Sequence, residues 1–164
     1  MEIKVVKNEQ ELKELFYFIA RTFYLDAIQN NERYYILQER YNEMKEQFNI
    51  DNNMLMYIER EGNIIAGITG KNMSHKYKSI NIGVLAVTYS ERGKDFAKML
   101  IKEFENKCIE RAIEHIKLGA RFRAAFLYQK LDYNFSLMIQ VFDFVNINEI
   151  RKNNKYNFKE KEFF

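Results

Sequence analysis

Ser79-Ile-Asn-Ile-Gly-Val-Leu-Ala-Val-Thr88 runs directly into Tyr89-Ser-Glu-Arg-Gly-Lys-Asp-Phe-Ala97, and the reading of this stretch decides the fold. Residues 79–88 read as a strand. Ile80, Ile82 and Val84 alternate, and then Leu85 and Val87 alternate on the opposite parity. The apolar face therefore slips by one residue at Val84-Leu85, which moves every later side chain to the other face. Two explanations stand side by side. A β-bulge absorbs the slip, as bulges do next to active sites, or both faces of a central strand are buried under helices. A glycine-containing turn follows at 89–95. A helix then runs from about 94 to 110 with the apolar row Phe96, Leu100, Phe104 and Cys108.

A strand end, a turn and a helix N-terminus make a site for an anion. The first N–H groups of a helix have no internal partner, and the helix dipole adds partial positive charge. Arg92 and Lys94 add full charges, and Gly93 permits close backbone approach. The stretch has neither the Gly-x-Gly-x-x-Gly of a dinucleotide fold nor the Gly-Lys-Ser/Thr of a P-loop. On these residues alone, a phosphate-binding turn and an ordinary basic helix start both remain open.

Upstream, residues 54–60 and 64–72 read as two strands joined through Glu61-Gly62-Asn63, a hairpin. Before them, helical spacing predicts one helix over about 9–25 (Leu12, Leu15, Phe16, Ile19, Phe23) and another over about 31–48 (Tyr34, Leu37, Tyr41, Met44, Phe48). Residues 2–6 form a short first strand. Downstream come a strand at 113–119, a helix at 121–131, a strictly alternating strand at 133–141 and a last strand at about 155–163. The helical crossover between 79–88 and 113–119 predicts parallel neighbours, whereas the hairpins are antiparallel. The expected fold is α/β: a mixed, mostly antiparallel β-sheet flanked by helices, in one domain over residues 1–164.

Composition narrows the function. A 164-residue chain with 47% hydrophobic and 15% aromatic residues is globular and long enough to bury a core. A net charge of +3, with both signs mixed, lacks the electrostatic footprint of a nucleic-acid binder. The one basic stretch, Arg151 to Lys161, includes Glu160 and reads as a solvated loop. The single cysteine excludes an intrachain disulfide, and Cys108 reads as a small buried hydrophobe. His75 and His115 lie far apart and no Cys/His cluster has ligand spacing, so no metal is expected. His75 reads as exposed. The start, Met1-Glu-Ile-Lys, has no apolar leader, and no window is apolar enough to span a bilayer. The expectation is a cytoplasmic protein without a membrane partner.

Arg92-Gly-Lys-Asp-Phe-Ala97 resembles the Arg/Gln-x-x-Gly-x-Gly/Ala signature of the GNAT N-acetyltransferase superfamily. Ala124-Ala-Phe-Leu-Tyr128-Gln-Lys-Leu-Asp-Tyr133 resembles that family's Ala-x-x-(Leu/Phe)-Tyr-(Glu/Gln)-Lys-Leu-Gly-(Phe/Tyr) segment. The two motifs stand in family order with a strand between them. The resemblance is clear over about residues 54–135. It implies the GNAT-like acyl-CoA N-acyltransferase fold with acetyl-CoA as co-substrate. Backbone groups of Leu85, Ala86 and Val87 would pair with the pantetheine arm, and N–H groups of Arg92, Gly93, Lys94, Asp95, Phe96 and Ala97 would hold the pyrophosphate. Ala124 opens the second motif on the cofactor side, and Tyr128 would face the sulfur as general acid. The free N–H at the bulge, near Leu85, would receive the oxyanion.

The chain departs from the family pattern at three positions. Asp95 stands where the family has its first glycine, either turning its side chain away to cap the helix or opposing the pyrophosphate. Arg121 stands where an asparagine is common, and with Arg123 it could reach phosphate oxygens. Asp132 replaces a glycine at a helix end. The strand over 79–88 holds no carboxylate, so Glu59, Glu39 or Glu43 acting through water are the candidate bases, none preferred. The acceptor pocket is expected between the first two helices and the 54–75 strands, near Phe23, Tyr24, Tyr34, Tyr35 and Tyr57. The expected partner is a primary amine on a small molecule, peptide N-terminus or lysine. A homodimer stays open, and charged tRNA as acceptor is disfavoured by the modest net charge. A non-catalytic CoA-binding or regulatory module of the same fold is the alternative function.

Overall fold

The computed structural model describes residues 2–29, 42, 45, 53–120, 122–136 and 157–162. β1 (Glu2–Val5) leads into Asn8, whose Oδ1 accepts the Glu11 N–H at 2.9 Å. The Glu11 carboxylate reaches back to the Lys7 N–H at 2.7 Å, so orphan donors at the helix start are satisfied from both sides. The helix launched here, α1 (Glu9–Gln29), runs past the residue 25 that its apolar row predicts. β2 (Met54–Arg60), β3 (Asn63–Ser74) and β4 (Ser79–Val87) follow as antiparallel hairpins. Then come α2 (Phe96–Glu110), β5 (His115–Ala120), α3 (Phe122–Gln129), β6 (Asn134–Ser136) and β7 (Asn157–Glu162). Of the helix expected over 31–48 only residues 42 and 45 are described, both helical, and residues 137–141 of the alternating strand lie outside the described residues.

Among the described residues the strands form one sheet in the order β1-β2-β3-β4-β5-β7-β6. β4 and β5 run parallel over Ser79–Ile82 and His115–Leu118, joined by the α2 crossover. The remaining pairings are antiparallel. The sheet is mixed and mostly antiparallel, with helices on its faces, as alternation and crossover predict. The last strand expected at about 155–163 is β7, inserted between β5 and β6, so the later part of the basic stretch is a strand and not a solvated loop. Pairing there removes the open edge that β5 would otherwise present.

Both faces of the sheet are covered. Met54, Met56 and Ile58 of β2 pack with Phe96, Leu100, Ile101, Phe104 and Cys108 of α2. Leu55 and Tyr57, pointing the other way, pack with Leu12, Leu15, Phe16 and Ile19 of α1. Burial on two sides is why β2 reads as an unbroken apolar run. Cys108 is fully buried, and loss of solvation pushes its thiol up to about 12, an inert core position.

The same sorting exposes the slip in β4. Ile80, Ile82, Leu85 and Val87 belong to the α2-side cluster, whereas Val84 and Ala86 belong to the α1-side cluster. The faces therefore exchange between Ile82 and Val84. The register agrees: Thr69 faces Val84 and the next residue, Gly70, faces Ile82, which leaves Gly83 as the extra residue. The slip lies one position upstream of the expected Val84-Leu85 step, because Val84 already belongs to the new register. The two explanations are both true of this strand: it is bulged and it is buried on both faces.

Because a sheet separates the two clusters, they should respond independently. Ile19→Val and Ile101→Val, each in a fully buried position on opposite faces, should each cost about 0.5–1.5 kcal/mol. The double variant should match their sum to within about 0.5 kcal/mol in urea unfolding.

Candidate active site

β4 serves two neighbours unequally. It stays paired with β3 as far as Val87, but its pairing with β5 ends at Ile82. The Thr88 N–H donates to the Ile65 carbonyl at 2.9 Å. Backbone groups alternate in direction along a strand, so Ala86 also faces β3, not the pantetheine side that the resemblance implies for it. Leu85 and Val87 turn their N–H and C=O groups to the side that β5 has left. The Val87 carbonyl accepts the Arg92 Nε–H at 3.1 Å. The Leu85 groups meet no strand partner among the described residues. A short length of exposed sheet edge thus lies inside the fold, open to an extended ligand that adds as a strand.

The edge ends on the expected turn. A single 3₁₀ turn, Tyr89–Glu91, carries the chain off β4. Gly93 has φ +78° and Asp95 has φ +63°, both left-handed, on the way into α2. Left-handed residues set among right-handed or extended ones curl neighbouring N–H groups towards a common side, a concave anion-binding shape. α2 opens at Asp95, whose carbonyl accepts the Met99 N–H at 2.9 Å. The Asp95 side chain makes no capping hydrogen bond. The capping role considered from the sequence is therefore not taken, and the exposed carboxylate stays at the mouth of the turn. Asp132 has φ +64° at the end of α3, where the Tyr133 N–H returns to the Tyr128 carbonyl at 3.1 Å. At both positions where the resemblance calls for glycine, the backbone keeps the glycine conformation and an aspartate adopts it.

The cations are arranged differently from the sequence expectation. The Lys94 ammonium lies 3.1 Å from the Glu91 carboxylate, and the Arg92 guanidinium lies 5.4 Å from the centre of the Tyr89 ring. Glu91 is buried, with its carboxylate held by both guanidinium nitrogens of Arg60, Nη2 at 2.6 Å and Nη1 at 3.1 Å. This fork ties the turn to the end of β2. Arg60 first and Lys94 second hold the Glu91 carboxyl below its usual range. Sequence reading missed both Arg60 and Glu91. The only sequence signal was an acid inside an otherwise basic turn.

Tyr128 is buried in the α2-side cluster, which also takes in Phe96, Leu85 and Val87. Its ring meets Tyr133 edge-on, with centres 5.5 Å apart. Burial pushes its phenol above the ordinary 10.0. Ala124 lies on α3, and Ala97 and Phe96 lie in the first turn of α2. Arg121 is outside the described residues. Of the candidate bases, Glu59 pairs with Lys4 at 3.2 Å on the β1–β2 seam, and Glu39 and Glu43 lie outside the described residues. Tyr57 is buried against α1, and Phe23 and His75 are exposed. The Tyr24 side chain, Tyr34 and Tyr35 lie outside the described residues. Among the described residues no group of three His, Cys, Asp or Glu could hold a metal ion. No described helix is long and apolar enough to cross a membrane.

The end of β4–β5 pairing, a left-handed turn and a helix N-terminus together make an edge and a cradle whose shape suits an extended, phosphate-bearing ligand. The family model of an acetyltransferase (GNAT) domain matches residues 19–153, and the chain belongs to this family. Solved structures share the fold at low identity. The PaiA N-acetyltransferase of Thermoplasma acidophilum, in complex with coenzyme A, is 13% identical over 99% of this chain and 100% of its own, with a TM-score of 0.65. The ribosomal-protein-alanine N-acetyltransferase of Brucella melitensis is 17% identical over 99% and 100%, with a TM-score of 0.69. An aminoglycoside 6'-N-acetyltransferase complexed with coenzyme A is 14% identical over 99% and 97%, with a TM-score of 0.70. Among proteins of curated function, none matches by sequence.

Two outcomes follow from the turn. The depressed Glu91 carboxyl stabilises the fold fully above its ordinary value of 4.5, and that contribution fades as pH falls through the folded value below it. The stability gap between wild type and Glu91→Gln should therefore be constant from pH 7 to about 5 and shrink as pH falls below 4.5, as read by urea unfolding. Asp95→Asn keeps a residue that tolerates left-handed backbone but removes the negative charge. It should tighten coenzyme A binding roughly two- to fivefold by calorimetry, the effect of one charge at a helix N-terminus.

Proposed function

We propose that this GNAT domain, a single domain over residues 1–164, transfers the acetyl group of acetyl-CoA to a primary amine. The observation that carries the proposal is the interior sheet edge at Leu85 and Val87, which opens directly onto the left-handed turn at the start of α2. Pantetheine pairs with the backbone groups of Leu85 and Val87 along the edge, past Ala86, whose own groups face β3. The pyrophosphate meets the N–H groups of Arg92 to Ala97, with Ala124 and Arg121 completing the cofactor side. Cytoplasmic location and action without a metal belong to the same proposal.

The chemistry needs a neutral amine, a stabilised oxyanion and a protonated leaving group. An alkylamine with a pKa of about 10.4 must lose its proton before it attacks. Water relays that proton away, since no carboxylate lies on β4. Attack on the thioester carbonyl places negative charge on its oxygen, and the Leu85 N–H donates to it in a site shielded from water. The carbon–sulfur bond then breaks and the thiolate takes the Tyr128 proton. Burial keeps that phenol protonated at neutral pH, and it makes the phenolate short-lived, so the proton lost by the amine returns to it through water.

The acceptor class rests on the family. Structural neighbours are named for acetylating ribosomal-protein alanine and aminoglycosides, and a primary amine is what those acceptors share. The competing reading, a coenzyme A-binding module without turnover, is favoured by the absence of a carboxylate from β4, with Asp95 a second departure at the turn.

Thiol release from acetyl-CoA over a panel of amines separates the readings. Release above the water background supports transfer, and binding without release with every amine supports the module. Tyr128→Phe should lower kcat about 10²- to 10⁴-fold, the usual scale of a lost general acid, with KM for acetyl-CoA nearly unchanged. Because the Tyr128 pKa is raised, wild-type kcat should show no basic-side fall up to about pH 10.

A further inference from the structure

Thr69, in the middle of β3, is fully buried, and its hydroxyl oxygen accepts the Val84 N–H at 3.0 Å. A strand N–H ordinarily goes to a carbonyl of the neighbouring strand. Here the extra residue Gly83 breaks the ladder between the Thr69–Val84 and Gly70–Ile82 pairs. The Val84 N–H points at β3, and a buried donor without an acceptor is costly. The Thr69 hydroxyl supplies that acceptor. The space is specified as well: a Cβ on Gly83 would lie 3.1 Å from the Thr69 hydroxyl oxygen and 3.3 Å from the Lys71 side chain. Hydroxyl at 69 and hydrogen at 83 are one device.

The device acts on the reacting atoms through the backbone. Val84 is held to β3 on one side of Leu85, and Thr88 is held to Ile65 on the other. Between these two anchors the Leu85 N–H faces the gap. We infer that Thr69 is a positioning residue for acyl transfer, whose hydroxyl aims the Leu85 N–H at the thioester oxygen. The inference rests on the acetyltransferase reading of the same site.

Two substitutions separate the hydroxyl from the bulk of the side chain. Thr69→Val keeps the branched shape and removes the acceptor. Thr69→Ser keeps the acceptor and removes a methyl group. If the hydroxyl aims the donor, Thr69→Val should lose roughly 10- to 100-fold in kcat, the scale of a small misplacement of a catalytic group. Its KM for acetyl-CoA should stay within about threefold, and Thr69→Ser should keep kcat near wild type. The reverse order, with valine active and serine impaired, makes residue 69 a packing residue and overturns the inference. Amide hydrogen exchange gives a readout that needs no turnover. Protection of the Val84 N–H should fall at least about tenfold in Thr69→Val and persist in Thr69→Ser. Unchanged Val84 protection in Thr69→Val overturns the inference whatever the rates. A wild-type chain that binds coenzyme A and releases no thiol overturns the acetyltransferase reading itself, an outcome that does not depend on residue 69.

Discussion

Between β3 and β4, the Val84 N–H donates to the Thr69 hydroxyl at 3.0 Å, at the place where an extra residue breaks the ladder. The rest of the site depends on this bond. β4 must stay joined to β3 through Val87, because that seam fills both apolar clusters. It must also leave β5 after Ile82, because a fully paired β4 would offer no backbone group to a ligand. An extra residue meets both demands. It sharpens the local twist, so the parallel partner is lost while the antiparallel one is kept. The change of face at Gly83 then keeps Leu85 and Val87 in the cluster that already holds Ile80 and Ile82. Geometry that opens the site thus leaves the core continuous.

The turn beyond β4 meets its own conflict. Its backbone needs left-handed residues, and a ligand phosphate needs an absence of negative charge. Gly93 satisfies both. Asp95 satisfies only the first, and the same substitution recurs at Asp132, where no anion is involved. Aspartate carries a steric cost there that glycine avoids, softened by its short side chain. Elsewhere the turn compensates. Arg60 and Lys94 neutralise the buried Glu91, and that ion cluster fastens the turn to β2. Only the Glu91 side of this cluster is buried, Arg60 and Lys94 being exposed, so losing Arg60 leaves the buried carboxylate short of its bidentate partner. Its effect is to hold the turn in one place relative to the sheet edge.

Much of this was legible along the chain. The period-two runs gave the strands, the helical crossover gave the parallel pair, and the parity change in β4 gave the bulge to within one residue. The turn at Arg92–Ala97 is marked by its glycine and the helix start after it, and Asp95 keeps the left-handed backbone of the glycine it replaces. Such features are local. Alternation, turn chemistry and helix starts depend on neighbours a few residues apart, so they leave a readable pattern. What stayed hidden was pairing over distance. Arg60 and Glu91 lie on different elements, and nothing in either segment names the other. Thr69 reads as an ordinary strand residue until Gly83 sits across from it. β7 reads as a last strand, but nothing in it shows that it inserts between β5 and β6. Periodicity and turn residues thus set the elements and their order along the chain. Only the tertiary structure decided which buried donors, acceptors and charges meet, because a hydrogen bond or ion pair exists only once packing has brought its two halves within reach.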